Sequence, residues 1–114
     1  METLIYQDIP LKLAPLLDAL SHPARLQIVL HLAKYTGCPA GSISERLPLS
    51  KSTVSQHLSK LKDSGIITVT PDGSCLRYTL NDEVMNDLNI YYHSLINTIK
   101  DSSKSKIDCP TCKK

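Results

Sequence analysis

Eight of the ten side chains from Lys51 to Lys60 carry a hydroxyl, amide, imidazole or ammonium group: Lys51, Ser52, Thr53, Ser55, Gln56, His57, Ser59 and Lys60. A primary amide can pair bidentately with an adenine edge. Hydroxyls can reach a base or a phosphate, and lysine can contact guanine or the sugar-phosphate backbone. These are the side chains of a base-reading surface in the major groove of DNA. The same residue types also cover any solvated helix face, so composition alone leaves both readings open. The elements that carry the face decide between them.

Those elements are well punctuated. Ser50 follows Pro48 and Leu49 and suits an N-cap, its hydroxyl accepting from a first-turn amide. Gly65 closes the helix, because glycine takes the left-handed C′ conformation without steric cost. Val54, Leu58 and Leu61 recur at helical spacing and must face inward. This leaves Ser52, Gln56, Ser59 and Lys60 outward, with Thr53 and Ser55 at the flanks and His57 nearer the buried edge. A few residues upstream, Ile43 and Leu47 give a short preceding helix one apolar side. Two helices joined by a tight turn form a helix-turn-helix, whose second helix enters the major groove.

Beyond Gly65, the β-branched run Ile66–Thr70 and the run Cys75–Leu80 flank Pro71-Asp72-Gly73-Ser74, which predicts a β-hairpin turning over those four residues. The expected fold is mainly α with a small β-hairpin wing, a winged helix-turn-helix. Arg77 is the wing cation best placed to reach DNA.

Two stretches carry a family resemblance. Leu20-Ser21-His22-Pro23-Ala24-Arg25-Leu26-Gln27-Ile28-Val29 and the run from Ser50 to Ile67 resemble the opening motif and the recognition helix of the ArsR/SmtB repressors. With the wing, the likeness covers about residues 20–80. It implies a small homodimeric repressor that binds an inverted-repeat operator in double-stranded DNA and is released by a metal, a metalloid or a thiol-reactive signal. DNA binding itself is expected to need no cofactor.

Charge is distributed accordingly. The net charge of the 114-residue chain is only +2, but residues 46–77 carry a local +3 from Arg46, Lys51, Lys60, Lys62 and Arg77 against Asp63 and Asp72. Residues 1–45 sum to −1 and residues 78–100 to −2, so the positive charge sits where phosphate neutralisation would act.

The terminal segments predict a dimer. Asn81 caps a helix running to about Asp101, with Asp82 and Glu83 at its positive end. Val84, Leu88, Tyr91, Tyr92, Leu95, Ile96 and Ile99 form a stripe too wide for so small a domain to cover alone. An N-terminal helix near Pro10 to Leu20, carrying Leu11, Leu13, Leu16, Leu17 and Leu20, shares that role. Pro15 must then lie in its first turn or kink it. Ser21 is expected to cap the next helix, with Pro23 in its first turn, Leu26, Ile28, Val29, Leu30 and Leu32 in its core, and Gly37 ending it. Arg25 reads as a structural ion-pair residue, and His22 and His31 as surface residues.

Sensing chemistry rests on Cys38, Cys75, Cys109 and Cys112. The resemblance brings two known sensor sites to compare. A Cys-x-Cys on the first helix of the motif is absent from Ser42–Leu47. The zinc ligands of the last helix are also absent, since Asp87-Leu88-Asn89 is followed by Lys100 and Ser103, and His93 is the sole histidine of that helix. Cys109-Pro110-Thr111-Cys112 is spaced for both sulfurs to meet one soft ion or each other. Cys38 could add a third thiolate, giving the trigonal site that arsenite or antimonite prefers; a disulfide sensor is the alternative. Cys75 reads as a small apolar residue.

Residues 1–101 form the expected DNA-binding and dimerisation domain, and residues 102–114 a flexible cysteine-containing tail. A thioredoxin-like role for the tail pair lacks the strand and helix N-terminus that activate such thiols. With no Gly-rich phosphate loop or catalytic constellation in view, an enzyme is not expected; a winged-helix module that binds protein is the remaining rival. No apolar run is long enough for a bilayer, and the chain opens on Met1-Glu2, so a cytoplasmic location with reduced thiols is expected.

Overall fold

The structure, a computed structural model, describes residues 8–104, 106, 108 and 109. Along the chain run α1 (Ile9–Leu20), α2 (Pro23–Lys34), α3 (Ala40–Arg46), α4 (Lys51–Asp63), β1 (Ile67–Asp72), β2 (Cys75–Leu80) and α5 (Asp82–Ser103). The core gathers where α4 meets α2, α3 and β1. Ile28, Ile43, Val54, Leu58, Leu61, Ile66 and Ile67 are all at most 1% exposed, with Leu16, Ala19 and Leu32 extending the cluster toward α1 and α2.

Several boundaries follow from local chemistry. The Ser50 hydroxyl accepts from the Thr53 amide at 3.2 Å, capping α4. The Asn81 side chain accepts from the amides of Glu83 at 3.1 Å and Val84 at 3.3 Å, capping α5. Gly65 takes φ 84 and lets the chain leave α4 directly into buried Ile66. β1 and β2 are antiparallel, with Asp72 opposite Cys75. The hairpin loop is therefore the dipeptide Gly73-Ser74, with Gly73 at φ 65, and Pro71 and Asp72 belong to the strand. This is tighter than the four-residue turn read from the sequence. A glycine at the first of two loop positions is the pattern of a type II′ turn.

The start of α2 differs from expectation. His22 is its N-cap, the ring Nδ1 accepting from the Ala24 amide at 3.0 Å. Ser21 instead ends α1, its hydroxyl donating to the Asp18 carbonyl at 2.8 Å. Pro23 explains the choice: proline favours the first helical position, which makes residue 22 the cap. Helix α1 runs unbroken through Pro15, with Pro10 in its first turn. The carbonyl that Pro15 leaves unmatched belongs to Leu11, which is 72% exposed.

Leu26 and Leu30 are 45% and 70% exposed, and Leu11 and Leu17 face out similarly, so the buried stripes of α1 and α2 are narrower than their leucine content suggests. His31 is buried rather than on the surface. Helix α2 ends at Lys34, before Gly37.

The wing is also tied to the body midway along β2, at Tyr78 opposite Val69. Cys38 and Tyr78 exchange two backbone hydrogen bonds, at 3.1 and 2.9 Å, joining the α2–α3 loop to β2. Helix α5 packs Val84, Met85 and Leu88 against the core and lies beside α1, but buries no residue fully. Tyr92 and Ile99 from the expected stripe are exposed, as is Ile90.

Truncating Leu58 to alanine, at the centre of this core, should lower the unfolding free energy by about 2–5 kcal/mol. The same truncation of Leu76, half exposed on the wing, should change it by less than about 0.5 kcal/mol. Urea denaturation of the two variants checks the contrast.

Candidate nucleic-acid interface

Helix α4 turns the expected face outward. Lys51, Ser52, Ser55, Gln56, Ser59 and Lys60 are exposed, whereas Val54, Leu58 and Leu61 are buried. Thr53 is half-buried, and its hydroxyl accepts from Ser50 at 2.9 Å, so it is engaged in the cap. The Lys60 ammonium lies 3.1 Å from the Asp18 carboxylate of α1. Both groups are about half exposed or more, and such a surface pair is weak enough for a phosphate to displace.

His57 does not belong with the outward group. It is half-buried, its Nδ1 lies 3.3 Å from Arg25 Nη1, and its ring centroid sits 4.5 Å from that of His22. Arg25 itself makes no ion pair with a carboxylate among the described residues. It donates to the Ala19 carbonyl at 2.6 Å and the Asp18 carbonyl at 3.4 Å, which corrects the ion-pair expectation while keeping Arg25 structural. This group, drawn from α1, α2 and α4, was not visible in the sequence. Arg25 and His57 alone lie 32 positions apart, and no local spacing links the group.

On the wing, the exposed Arg77 guanidinium donates to Asp72 at 2.7 Å and to the Gly37 carbonyl at 2.9 Å. The cation lies in mid-hairpin, opposite Thr70, and is held between the turn end of the wing and the loop before α3.

The cysteines separate. Cys38 is buried, with its thiol donating to the Tyr35 carbonyl at 3.3 Å and its sulfur lying 3.6 Å from His31 Nε2. Burial pushes this thiol above the ordinary range, opposed more weakly by Arg46 and Arg77, so in this conformation it is a poor nucleophile. Beside it, Arg46 stacks on the Tyr35 ring at 4.8 Å. Cys75 is half-buried at the start of β2, and Cys109 is exposed. Cys112 lies outside the described residues. Among the described residues, no three His, Cys, Asp or Glu side chains gather as metal ligands.

A helix with an exposed polar face, seated by its apolar side, preceded by a short helix and followed by a hairpin, defines a winged helix-turn-helix DNA-binding protein. Comparison with known proteins agrees. Residues 20–70 match the family described as Helix-turn-helix domain. The chain is 38% identical over 73 residues to the HTH-type transcriptional regulator YgaV of Escherichia coli (strain K12), covering 64% of this chain and 74% of that protein. It is 32% identical over 78 residues to an arsenical resistance operon repressor of Staphylococcus xylosus, covering 68% and 74%. An ArsR-like transcriptional regulator from Rhodococcus sp. RHA1 superposes with a TM-score of 0.68 at 25% identity, over 82% of this chain and 84% of that one. The chain belongs to the ArsR/SmtB family of winged helix-turn-helix transcriptional repressors. It is a DNA-binding regulator and not an enzyme, and no helix among the described residues is long and apolar enough to cross a membrane.

Burial, and secondarily Arg46, hold His31 below the ordinary imidazole value of 6.5. The unfolded chain therefore binds this proton first, so the stability His31 contributes is complete above pH 6.5 and is lost as pH falls through its lowered value. The urea midpoint should drop between about pH 7 and pH 5.5, and His31→Gln should shrink that drop.

Proposed function

We propose that the protein acts as a twofold homodimer that binds an inverted-repeat operator and represses transcription until a thiol-binding metalloid or soft metal ion releases it. The exposed polar face of α4 is the observation that carries the DNA-reading part: Ser52, Gln56 and Ser59 stand clear of the core, flanked by Lys51 and Lys60. These residues, with Ser55, are assigned to base and phosphate contacts. Thr53 and Arg77 are assigned to phosphates near the α4 cap and the middle of the wing. Dimerisation is supported by α5, 22 residues long and with no fully buried side chain, lying beside α1. A second copy placed on that face would cover Tyr92 and Ile99 and bring two α4 helices to one side of the dimer, where successive major grooves of a duplex can meet them.

The inducer is assigned to Cys109 and Cys112, with Cys38 as third ligand. Cys109 is exposed, and the similar Staphylococcus xylosus protein is named for arsenical resistance. With arsenite, each thiol would displace one hydroxyl of arsenous acid as water. Cys38 could join only by leaving the core, which would break its backbone bridge to Tyr78 and unseat the wing. That step would link the tail to DNA affinity.

Two measurements test the reading, both on the duplex that the wild-type protein enriches from a randomised pool. Ser52→Ala combined with Gln56→Ala should weaken binding at least about tenfold while leaving the fold intact by circular dichroism. Unchanged affinity removes those residues from the interface. In the second, the wild-type complex is challenged with arsenite, antimonite, cadmium and a mild oxidant. Release by the ions that is lost in Cys109→Ser/Cys112→Ser supports ion sensing, release by oxidant alone supports a disulfide sensor, and normal release of the double variant rules out the tail.

A further inference from the structure

We propose that Arg25 is a positioning residue for operator recognition: its guanidinium clasps the end of α1 and the His57 ring together, and so fixes how α4 is rotated relative to the terminal helices. The inference rests on α4 reading DNA. It concerns what orients that helix, not what touches the bases.

The geometry is specific. Arginine has donors only, so the 3.3 Å contact from Nη1 makes His57 Nδ1 the acceptor and places the ring proton on Nε2. Nε and Nη2 of the same guanidinium reach the carbonyls of Ala19 and Asp18, in the last turn of α1, where the helix leaves carbonyls without intrahelical donors. One planar cation thus connects the C-terminus of α1 to the middle of α4, from a position 32 residues before His57. His22, held as the α2 cap by its own Nδ1, packs its ring against that of His57 at a centroid distance of 4.5 Å. One turn along α4, Lys60 pairs with Asp18, so α4 is tied to the same end of α1 at two points on one side. The apolar residues of α4 alone would tolerate a few degrees of rotation about the helix axis. The clasp does not, because a small rotation of α4 moves His57 out of reach of a guanidinium fixed by backbone carbonyls.

The clasp depends on protonation. The charged or titratable groups facing His57 among the described residues are His22 and Arg25 from α2, with Lys60 and Asp18 one turn away. Burial first, then His22 and Arg25, keep the ring neutral below its ordinary value of 6.5. An imidazolium has no acceptor and is repelled by Arg25, so acidification through the lowered value opens the clasp.

The test uses the full chain. Imidazole nitrogen-15 shifts, recorded without DNA, should show His57 with an unprotonated Nδ1 that titrates below 6.5, and Arg25→Gln should move that titration upward. On the duplex enriched from a randomised pool, Arg25→Gln and His57→Ala should each cut the ratio of specific to non-specific affinity about tenfold at pH 7.5. His57→Asn, which keeps an acceptor near the Nδ1 position and does not titrate, should retain the ratio and hold it flat to about pH 5.5, where the wild type loses part of it. Thermal melting accompanies each variant, and the His57→Asn and His57→Ala pair decides the matter should Arg25→Gln fail to fold. A normal wild-type ratio that survives His57→Ala, or a loss in His57→Asn equal to that in His57→Ala, overturns the positioning role alone. A wild type with no preference for any duplex overturns the DNA-reading assignment and this proposal with it.

Discussion

An amphipathic helix can present its polar side to a ligand only as faithfully as its apolar side is held. In α4 the holding surface is three residues, Val54, Leu58 and Leu61, none more than 1% exposed. Burying each of them removes apolar surface worth about 1.5–3 kcal/mol from water. The partners come from separate elements: Ile28 and Leu32 from α2, Ile43 from α3, and Ile66 and Ile67 at the exit into the wing. Turning the helix by one residue, about 100°, would bury Ser55, Ser59 and Lys62 where Val54, Leu58 and Leu61 now sit, polar groups placed in an apolar seat. The seat therefore selects which side chains can reach DNA. The short α3, the Gly65 turn and the hairpin are arranged around that selection.

Where a residue's role depends on its neighbours in sequence, the chain was readable. Ser50 and Asn81 as caps, Gly65 as the helix stop, the inward triplet of α4, the hairpin and the long last helix all rest on short-range spacing, and all are present. The same holds for the exposed face of the candidate interface. What escaped was set by distant partners. His31 is a polar residue at an apolar position, tolerated because Cys38 and the Tyr35 ring lie beside it. Arg25 finds carbonyls at a helix end rather than a carboxylate, and His57 turns toward it rather than toward solvent. Leu26 and Leu30 look like core by residue type, yet α2 has only one side against the domain. Residue type ranks hydrophobicity but does not say which side of a helix has a neighbour.

Charge and assembly belong to one question. A net charge of +2 is small for a nucleic-acid ligand, yet two of its cations are already engaged, Lys60 with Asp18 and Arg77 with Asp72. Both pairs are exposed and cost little to exchange for phosphate. What phosphate binding needs is density of cations along one surface rather than a high total. In the proposed dimer each local +3 segment would be repeated on the same side, while the more acidic α5 would lie in the shared interface, away from the duplex. Separating the signs in this way lets a nearly neutral chain offer a basic surface.

The proposed inducer step is constrained by linkage, and the constraint falls on Cys38. Moving an operator-binding state from 99:1 to 1:99 requires an inducer to favour the released state by about 10⁴-fold. A thiol equally accessible in both states supplies none of that difference, however tightly it binds. Cys109 is exposed in the conformation described, so a soft ion can reach its sulfur while the wing is seated. Cys38 is different: its thiol is buried and its backbone carries the bridge to Tyr78, so in the proposed scheme exposing its sulfur to an ion would disturb the segment that ties the wing down. On this reading the tail supplies affinity for the ion, and the buried thiol converts that affinity into a preference between conformations.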